Sequence, residues 1–267
     1  MTAREQLPLS DRADEDLPGH WLLARLGKRV LRPGGLELTT RLLAAARLTG
    51  ADVVELGPGL GRTARDIVAL APKSYVGVDD TAAATDSVRA VVAPVGGTVT
   101  VADAAVSGLP DNSADVVVGE AMLTMQGQKT KRAIVQEAFR VLRPGGRYAI
   151  HELALTPDSI SDDIKDEIRR DMSRAIKVNA RPLTAAEWTT LLTDAGFRIE
   201  TIDHAPMALL QPARVVADEG FFGALRIVGN LIRQRGARRR VLGMRRTFHR
   251  YRRELTAVAL VGVVPGP

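Results

Sequence analysis

The stretch that decides the fold reads Val53-Val54-Glu55-Leu56-Gly57-Pro58-Gly59-Leu60-Gly61-Arg62-Thr63-Ala64. A short β-branched run carrying one carboxylate is followed by three glycines at alternate positions, and a helical pattern opens near Arg62. This is the pattern of a buried parallel strand that feeds a tight turn and then a helix. Such a turn lets a ligand approach the backbone closely and rest at the positive end of the helix. The dinucleotide-binding form of the turn spaces its glycines G-x-G-x-x-G. Here the third glycine comes one residue early, and Glu55 stands two places before the first.

Outward from this turn, strands and helices alternate. Strands are expected at Asp52–Leu56, Tyr75–Asp79, Thr98–Val101, Asp115–Gly119, Arg147–Leu153 and Phe197–Ile202, with helices at 61–71, 81–92, 129–142, 159–179 and 184–195. That rhythm predicts a parallel sheet covered by helices on both faces and joined by right-handed crossovers. Upstream, residues 1–17 are polar and acidic and are expected to be disordered. Gly19 to Leu31 reads as an amphipathic helix with Trp21, Leu22, Leu26 and Val30 on one face, and a second helix covers about 36–48. Downstream, helices at about 213–234 and 236–254 precede a final apolar strand, Thr256–Val264.

The chain has 267 residues, 45% of them hydrophobic and 25% charged, enough to bury one large core with a cap. No apolar run approaches the ~20 residues of a membrane helix, and the charged N-terminus does not read as a signal peptide, so a cytoplasmic location is expected. The absence of cysteine excludes disulfides, thiolate nucleophiles and zinc–thiolate sites. No metal site is expected. The net charge of +6 is uneven: residues 232–254 carry ten arginines against Glu254, so that segment contributes +9 and the remainder −3. A basic tract can serve nucleic acid or an anionic membrane. With 31 arginines to 6 lysines overall, however, an arginine-rich solvated face is the plainer reading. Val241, Met244, Phe248, Tyr251 and Leu255 form one apolar stripe in this tract, expected to pack on the sheet or on a second subunit.

Three further segments bear on chemistry. Tyr75-Val76-Gly77-Val78-Asp79-Asp80 ends a strand in carboxylates about twenty residues after the glycine turn, where a carboxylate can accept from both ribose hydroxyls. Asp80 or Thr81 is expected to cap the following helix. Val101-Ala102-Asp103-Ala104 precedes Leu109-Pro110-Asp111-Asn112-Ser113-Ala114-Asp115. Glu137-Ala138-Phe139-Arg140-Val141-Leu142-Arg143-Pro144-Gly145-Gly146 stops a helix at a proline and turns into a strand.

Together with the glycine turn these segments resemble the class I S-adenosylmethionine (AdoMet) dependent methyltransferases over roughly residues 50–204. The Leu109–Asp115 segment resembles the "LPF-x-D-x-S-F-D" run of the small-molecule members, with Ala114 in place of an aromatic. Residues 137–146 are similar to "E-x-x-R-V-L-K-P-G-G". The resemblance implies a Rossmann-like seven-stranded sheet whose last strand is antiparallel and inserted beside the sixth. It also implies a single domain: a tail (1–17), an N-terminal helical lid (18–49), a cofactor-binding core (50–204), a helical insertion or cap (205–254) and the final strand (255–267). AdoMet is the implied cofactor and S-adenosylhomocysteine its product. The implied cofactor-binding residues are Glu55, Gly57, Gly59 and Gly61, Asp79 with Asp80, Asp103 and Ala104 at the adenine, and Glu120 at the amino group.

The expected activity is methyl transfer to a small organic acceptor, at oxygen, by in-line displacement, where positioning is worth up to roughly 7–11 kcal/mol. A general base is needed only if the acceptor must lose a proton. The candidates at the carboxyl ends of the strands are His151, whose unperturbed pKa lies near ~6.5, and Glu120. Glu152 cannot face the same side as His151 within a strand, and His20, His204 and His249 read as surface or cap residues. The Asn-Pro-Pro-Tyr motif of amino-group methyltransferases is missing, with Glu120-Ala121-Met122-Leu123 in its place, so nucleic acid is not the expected partner. The competing readings are an RNA or protein methyltransferase that uses the arginine helix, a non-catalytic AdoMet-binding protein, and an NAD-dependent dehydrogenase. Trp21–Leu31, the 155–183 stretch and Pro212–Arg235 are expected to wall the site. In the last of these, Phe221, Phe222, Leu225 and Ile232 would supply apolar surface and Arg226 would meet an anionic group, unless these residues only pad a core or a dimer interface.

Overall fold

The computed structural model describes residues 12–266, Ala83 by its backbone alone. The strands are β1 (Asp52–Leu56), β2 (Ser74–Asp79), β3 (Thr98–Val101), β4 (Ala114–Glu120), β5 (Leu142–Leu155), β6 (Leu183–Thr184), β7 (Arg198–Pro206) and β8 (Leu255–Val263). The helices are α1 (Gly19–Arg25), α2 (Gly35–Ala46), α3 (Arg62–Ala69), α4 (Ala82–Val92), α5 (Gln128–Val141), α6 (Asp162–Ile176), α7 (Ala185–Asp194), α8 (Pro212–Arg233) and α9 (Arg235–Arg250). The sheet runs β3-β2-β1-β4-β5-β8-β7. Strands β1 to β5 pair in parallel, whereas β8 is antiparallel to both its neighbours, as expected. β8 is almost wholly apolar because it lies inside the sheet rather than at its edge.

Pleat alternation sorts the central side chains into two layers. Val54, Leu56, Val117, Tyr148, Ile150, Val258 and Leu260 pack on α5 and α7. Val53, Val116, Val118, Ala149, Ala257, Ala259 and Val261 pack on α2, α3 and α4. The chain also forms one strand more than expected. β4 ends at Glu120 opposite His151, which leaves the far end of β5 open on that side, and Leu183–Thr184 pairs there with Ala154 and Leu155. The strand order reverses direction between β1 and β4, so a crevice opens beyond their carboxyl ends, where open α/β sheets bind ligands.

The cap over this crevice differs from the expectation in three ways. First, the tail expected to be disordered is structured from residue 12, residues 1–11 lying outside the described part. Leu17 is fully buried against Val241 and Met244, and the Arg240 guanidinium donates to the carbonyls of Asp14 and Leu17. Second, the helix expected to reach Leu31 stops at Arg25, because Gly27 adopts φ +104° and the carbonyls of Leu26 and Gly27 are taken by Asn230 and Arg226 of α8. Third, the apolar stripe divides between cap and sheet: Phe248, Tyr251 and Leu255 cluster with Leu153 and Leu155 of β5, as expected, whereas its first half stays within the cap. Val241 and Met244 meet α1, and Phe248 and Tyr251 meet Ile168 and Met172 of α6.

Residues 26–34, freed from helix, form a loop strapped down by α8. The Glu219 carboxylate accepts from the backbone N–H groups of Arg29 and Val30 at 2.8 Å each, and lies 3.5 Å from the buried Lys28 ammonium. Asp218 accepts from the Leu36 N–H at 3.1 Å. Glu219→Ala leaves that ammonium without its nearest counter-charge and two N–H groups without their acceptor. We expect destabilisation of about 3–5 kcal/mol, the usual cost of breaking a buried pair, read as a lower urea midpoint at unchanged slope. A loss below about 1 kcal/mol would show that the loop is held by other contacts.

Candidate active site

The turn after β1 is built by conformation. Gly57, Gly59 and Gly61 take φ of +67°, +54° and +72°, the left-handed region that L side chains avoid. The Gly57 N–H donates to the Val78 carbonyl at 2.8 Å, and the Gly59 N–H donates to Asp79 Oδ2 at 3.0 Å. Asp79 Oδ1 accepts from the Thr81 N–H at 2.9 Å. The β2 carboxylate therefore ties two loops together at the lip of the crevice, and burial raises its pKa. The expected cap by Asp80 or Thr81 is not made: α4 starts without a side-chain cap, and Asp80 instead accepts from the Thr81 hydroxyl. Asp103 Oδ1 accepts from the Ala105 N–H at 2.8 Å, which shapes the turn that carries Ala104.

A cavity of about 480 Å³ opens over these groups. Of the residues expected at the cofactor, Gly57, Gly59, Asp79, Asp80, Asp103, Ala104 and Glu120 line it. Glu55 and Gly61 do not. Glu55 is buried behind the turn, where Tyr75 donates to it at 2.6 Å, and burial pushes its carboxyl up to about 8. Gly61 faces α4, where a Cβ would meet Val88 at 3.4 Å.

The two candidate bases sit in one buried network. Glu120 Oε1 accepts from Thr39 Oγ1 at 2.6 Å and lies 2.9 Å from His151 Nδ1. Its Oε2 accepts from Thr63 Oγ1 at 2.6 Å and pairs with Arg32 Nε at 3.2 Å. Burial alone would raise the Glu120 pKa, but the Arg32 charge and the bonds from His151 and Thr39 outweigh it and hold the carboxyl at about 2. His151 does not line the cavity. It is fully buried under Gly34, whose N–H donates to its Nε2 at 3.1 Å, so the ring carries its proton on Nδ1 and donates it to Glu120. A Cβ on Gly34 would lie 3.0 Å from Nε2, so glycine is what admits this approach. Both Glu120 oxygens and His151 Nε2 are thus engaged by protein donors. Glu152, on the opposite face of β5, accepts from the N–H groups of Met122, Leu123 and Thr124 and holds the loop after β4.

The apolar end of the cavity comes from the cap: Trp21, Leu23 and Leu31, Met172 and Ile176 of α6, and Met244 and Phe248 of α9. The expected wall at Pro212–Arg235 is absent. Phe221, Phe222, Leu225 and Ile232 are exposed, and Arg226 holds the Gly27 carbonyl. Sequence reasoning also missed His20, which lines the cavity beside Trp21. Burial lowers its pKa to about 4, and its ring nitrogens have no hydrogen-bond partner among the described residues. One signal was available: Gly19, His20 and Leu23 share a helix face adjacent to the apolar stripe.

Residues 54–150 match the methyltransferase domain family. An uncharacterized protein of Haemophilus influenzae is 34% identical over 224 residues, covering 82% of this chain and 87% of its own length. A Mycolicibacterium smegmatis protein named as a probable S-adenosylmethionine-dependent methyltransferase is 35% identical over 156 residues. That match covers 58% of this chain and 55% of the relative. The chain belongs to the class I AdoMet-dependent methyltransferases. The fold of this methyltransferase is shared with a solved structure of Haemonchus contortus phosphoethanolamine N-methyltransferase 2 in complex with S-adenosyl-L-methionine, at a TM-score of 0.68 and 17% identity. The likeness covers 96% of this chain and 58% of that one.

The Glu120 network gives the methyltransferase an acid signature. A carboxyl at about 2 when folded, against an ordinary ~4.3 when unfolded, contributes stability that is fully present above ~4.3 and lost as pH falls towards 2. Glu120→Gln leaves the Arg32 charge without its nearest buried partner. We expect a loss of about 3–5 kcal/mol at pH 7 that shrinks by pH 2–3, measured by urea unfolding at both pH values. A loss equal at both would show that the charge is not what matters.

Proposed function

We propose that this methyltransferase binds AdoMet across the carboxyl ends of β1, β2 and β4 and methylates a small, largely apolar acceptor at a hydroxyl oxygen. The donor set fits the cofactor. Asp79 stands ready for the ribose, Asp103 and Ala104 for the adenine edge, and the glycine turn for the amino-acid portion, while Asp80 and Glu120 border the same space. Glu55 and Gly61 support the turn from behind. When bound, AdoMet supplies an electrophilic methyl group on a sulfonium. The rest of the chemistry falls to the cavity, whose size is that of a small-molecule site.

The observation that carries the acceptor class is the composition of the cap end. The carboxylates lining the cavity are Asp79, Asp80, Asp103 and Glu120, all on the sheet side, and Glu120 is committed to its network. An amine acceptor, which becomes a cation as its nitrogen takes the methyl group, would lack a counter-charge in the desolvated space under Trp21, Met172, Ile176, Met244 and Phe248. A neutral hydroxyl needs only a proton acceptor, and His20 is a neutral imidazole lining that wall. In this reading His20 takes the hydroxyl proton, α1 and α9 exclude water, and the Glu120–His151 network positions the loop 28–34 without exchanging protons with the acceptor.

Calorimetry with S-adenosylhomocysteine tests the cofactor end. Asp79→Ala should weaken binding by about 10–100-fold, the worth of hydrogen bonds to a charged group, whereas Glu55→Gln should stay within about threefold because Glu55 does not reach the cavity. Equal losses in the two variants would return Glu55 to the binding set. For the acceptor end, incubation of a metabolite extract with deuteromethyl-AdoMet, followed by mass spectrometry, should reveal a methyl ether. His20→Ala should lower kcat by about 10²–10⁴ at unchanged AdoMet KM, and should convert a flat profile from pH 6 to 9 into one that rises with pH. An N-methylated cationic product would sink the oxygen assignment.

A further inference from the structure

α8 is the one cap helix whose apolar stripe faces away from the cavity. Gly220 interrupts it at φ +72°, ψ +169°, a conformation that only glycine adopts readily. Directly after this break, Phe221 and Phe222 are 64% and 84% exposed, and Leu225, Val228 and Ile232 continue the same face, Ile232 at 65%. The opposite face, with Ala224 and Ile227 buried and Asn230 bonded to Leu26, is the one that meets the protein. The stripe is therefore not a core face left open by a missing neighbour. Helix α8 already has its neighbours, and this surface is additional.

Charge identifies what covers it. α8 runs into Arg233 and Arg235, and α9, which packs on α8, turns its own apolar residues inward and exposes Arg238, Arg239, Arg245 and Arg246 together with Leu242. Apart from Arg239, whose guanidinium lies 3.8 Å from Glu15, none of these arginines has a carboxylate within salt-bridge distance among the described residues. Two copies docked through this surface would bring two strongly basic tracts together, which disfavours self-association. A nucleic acid would neutralise the arginines but leave five large apolar side chains without a partner. A stripe of Phe, Leu, Val and Ile on one cap helix, with exposed arginines on the helix packed against it, matches a bilayer with anionic headgroups, where the apolar face enters the interface and the cations meet phosphates. No helix among the described residues is long and apolar enough to cross a membrane, so the contact would be peripheral.

We infer that α8 and the outer face of α9 form a docking surface for anionic phospholipid bilayers. Because α8 also straps down the loop 28–34 that borders the cavity, docking sets the cap against the source of a lipophilic acceptor.

The test is co-sedimentation of the full chain with vesicles of phosphatidylcholine alone or with 30% phosphatidylglycerol. Binding to the anionic vesicles should exceed binding to neutral ones at least tenfold at low salt and collapse at 0.5 M salt. The double variant Phe221→Asp/Phe222→Asp should lose at least tenfold in vesicle affinity, and Arg245→Glu/Arg246→Glu should lose the preference for anionic lipid. Both should keep wild-type affinity for S-adenosylhomocysteine, which separates loss of docking from loss of fold or of the cofactor site. The inference is overturned if wild-type protein ignores anionic vesicles at low salt, or if the phenylalanine variant binds them undiminished. It is also overturned if the protein binds single-stranded RNA but no vesicle, or if light scattering shows a dimer that the phenylalanine variant splits while vesicles go unbound.

Discussion

The structure turns on one buried carboxylate. Glu120 ends β4 at the point where the sheet reverses direction, and it gathers Arg32 from the N-terminal loop, Thr39 from α2, Thr63 from α3 and His151 from β5. A carboxylate in a low-dielectric site is tolerated only while its oxygens are fully bonded, and each bond polarises the next. Fixing Glu120 therefore fixes the loop that borders the cavity, the helix behind it and the first turn after the glycines. Gly34 completes the arrangement by donating to His151, which decides which nitrogen of the ring carries the proton. The group has the residue types of a proton-transfer site, but its oxygens and its ring nitrogens are already spoken for.

The same separation runs through the rest of the molecule. Polar groups that look chemical from their residue type (Glu55, Glu152, Lys28) are buried against fixed protein partners and set the course of loops. Groups that face the cavity are either at the strand ends, where the sheet places them, or on the cap, where they are mostly apolar. Selectivity for an acceptor would then rest with α1, α6 and α9.

Much of this was legible in sequence because it follows from short-range rules. The three left-handed glycines, the carboxylate at the end of β2 and the apolar run of β8 each carry their own local signature, and the strand and helix alternation they imply is what the structure shows, although α5 ends at Val141 and Pro144-Gly145-Gly146 fall inside β5 rather than before it. What could not be read depended on how distant segments meet. His151 sits at the proper end of a strand, but α2 and Gly34 cover it, and no spacing within β5 announces that. His20 carries only a weak helix-face signal, because its place in the cavity wall depends on how α6 and α9 close beside α1. The extra strand β6 is two residues long and exists because β4 stops short of the end of β5.

α8 gives the sharper lesson, because there the usual rule inverts. Its large apolar residues were expected to face inward as a wall of the site. They point outward, and the inward contacts are made by Glu219, Arg226 and Asn230 to backbone groups of the loop 26–34, with only Ala224 and Ile227 buried between. Hydrophobic periodicity finds that a helix has two faces but does not say which face meets the protein. The loop 26–34 decides this: its backbone N–H and carbonyl groups have left helical geometry, and buried backbone groups must find partners somewhere. Polar side chains of α8 satisfy that demand, and the apolar stripe takes the side that remains. An amphipathic helix fastened by its polar face is thus a physical consequence of the broken N-terminal helix, and its exposed apolar face is left available for a second medium.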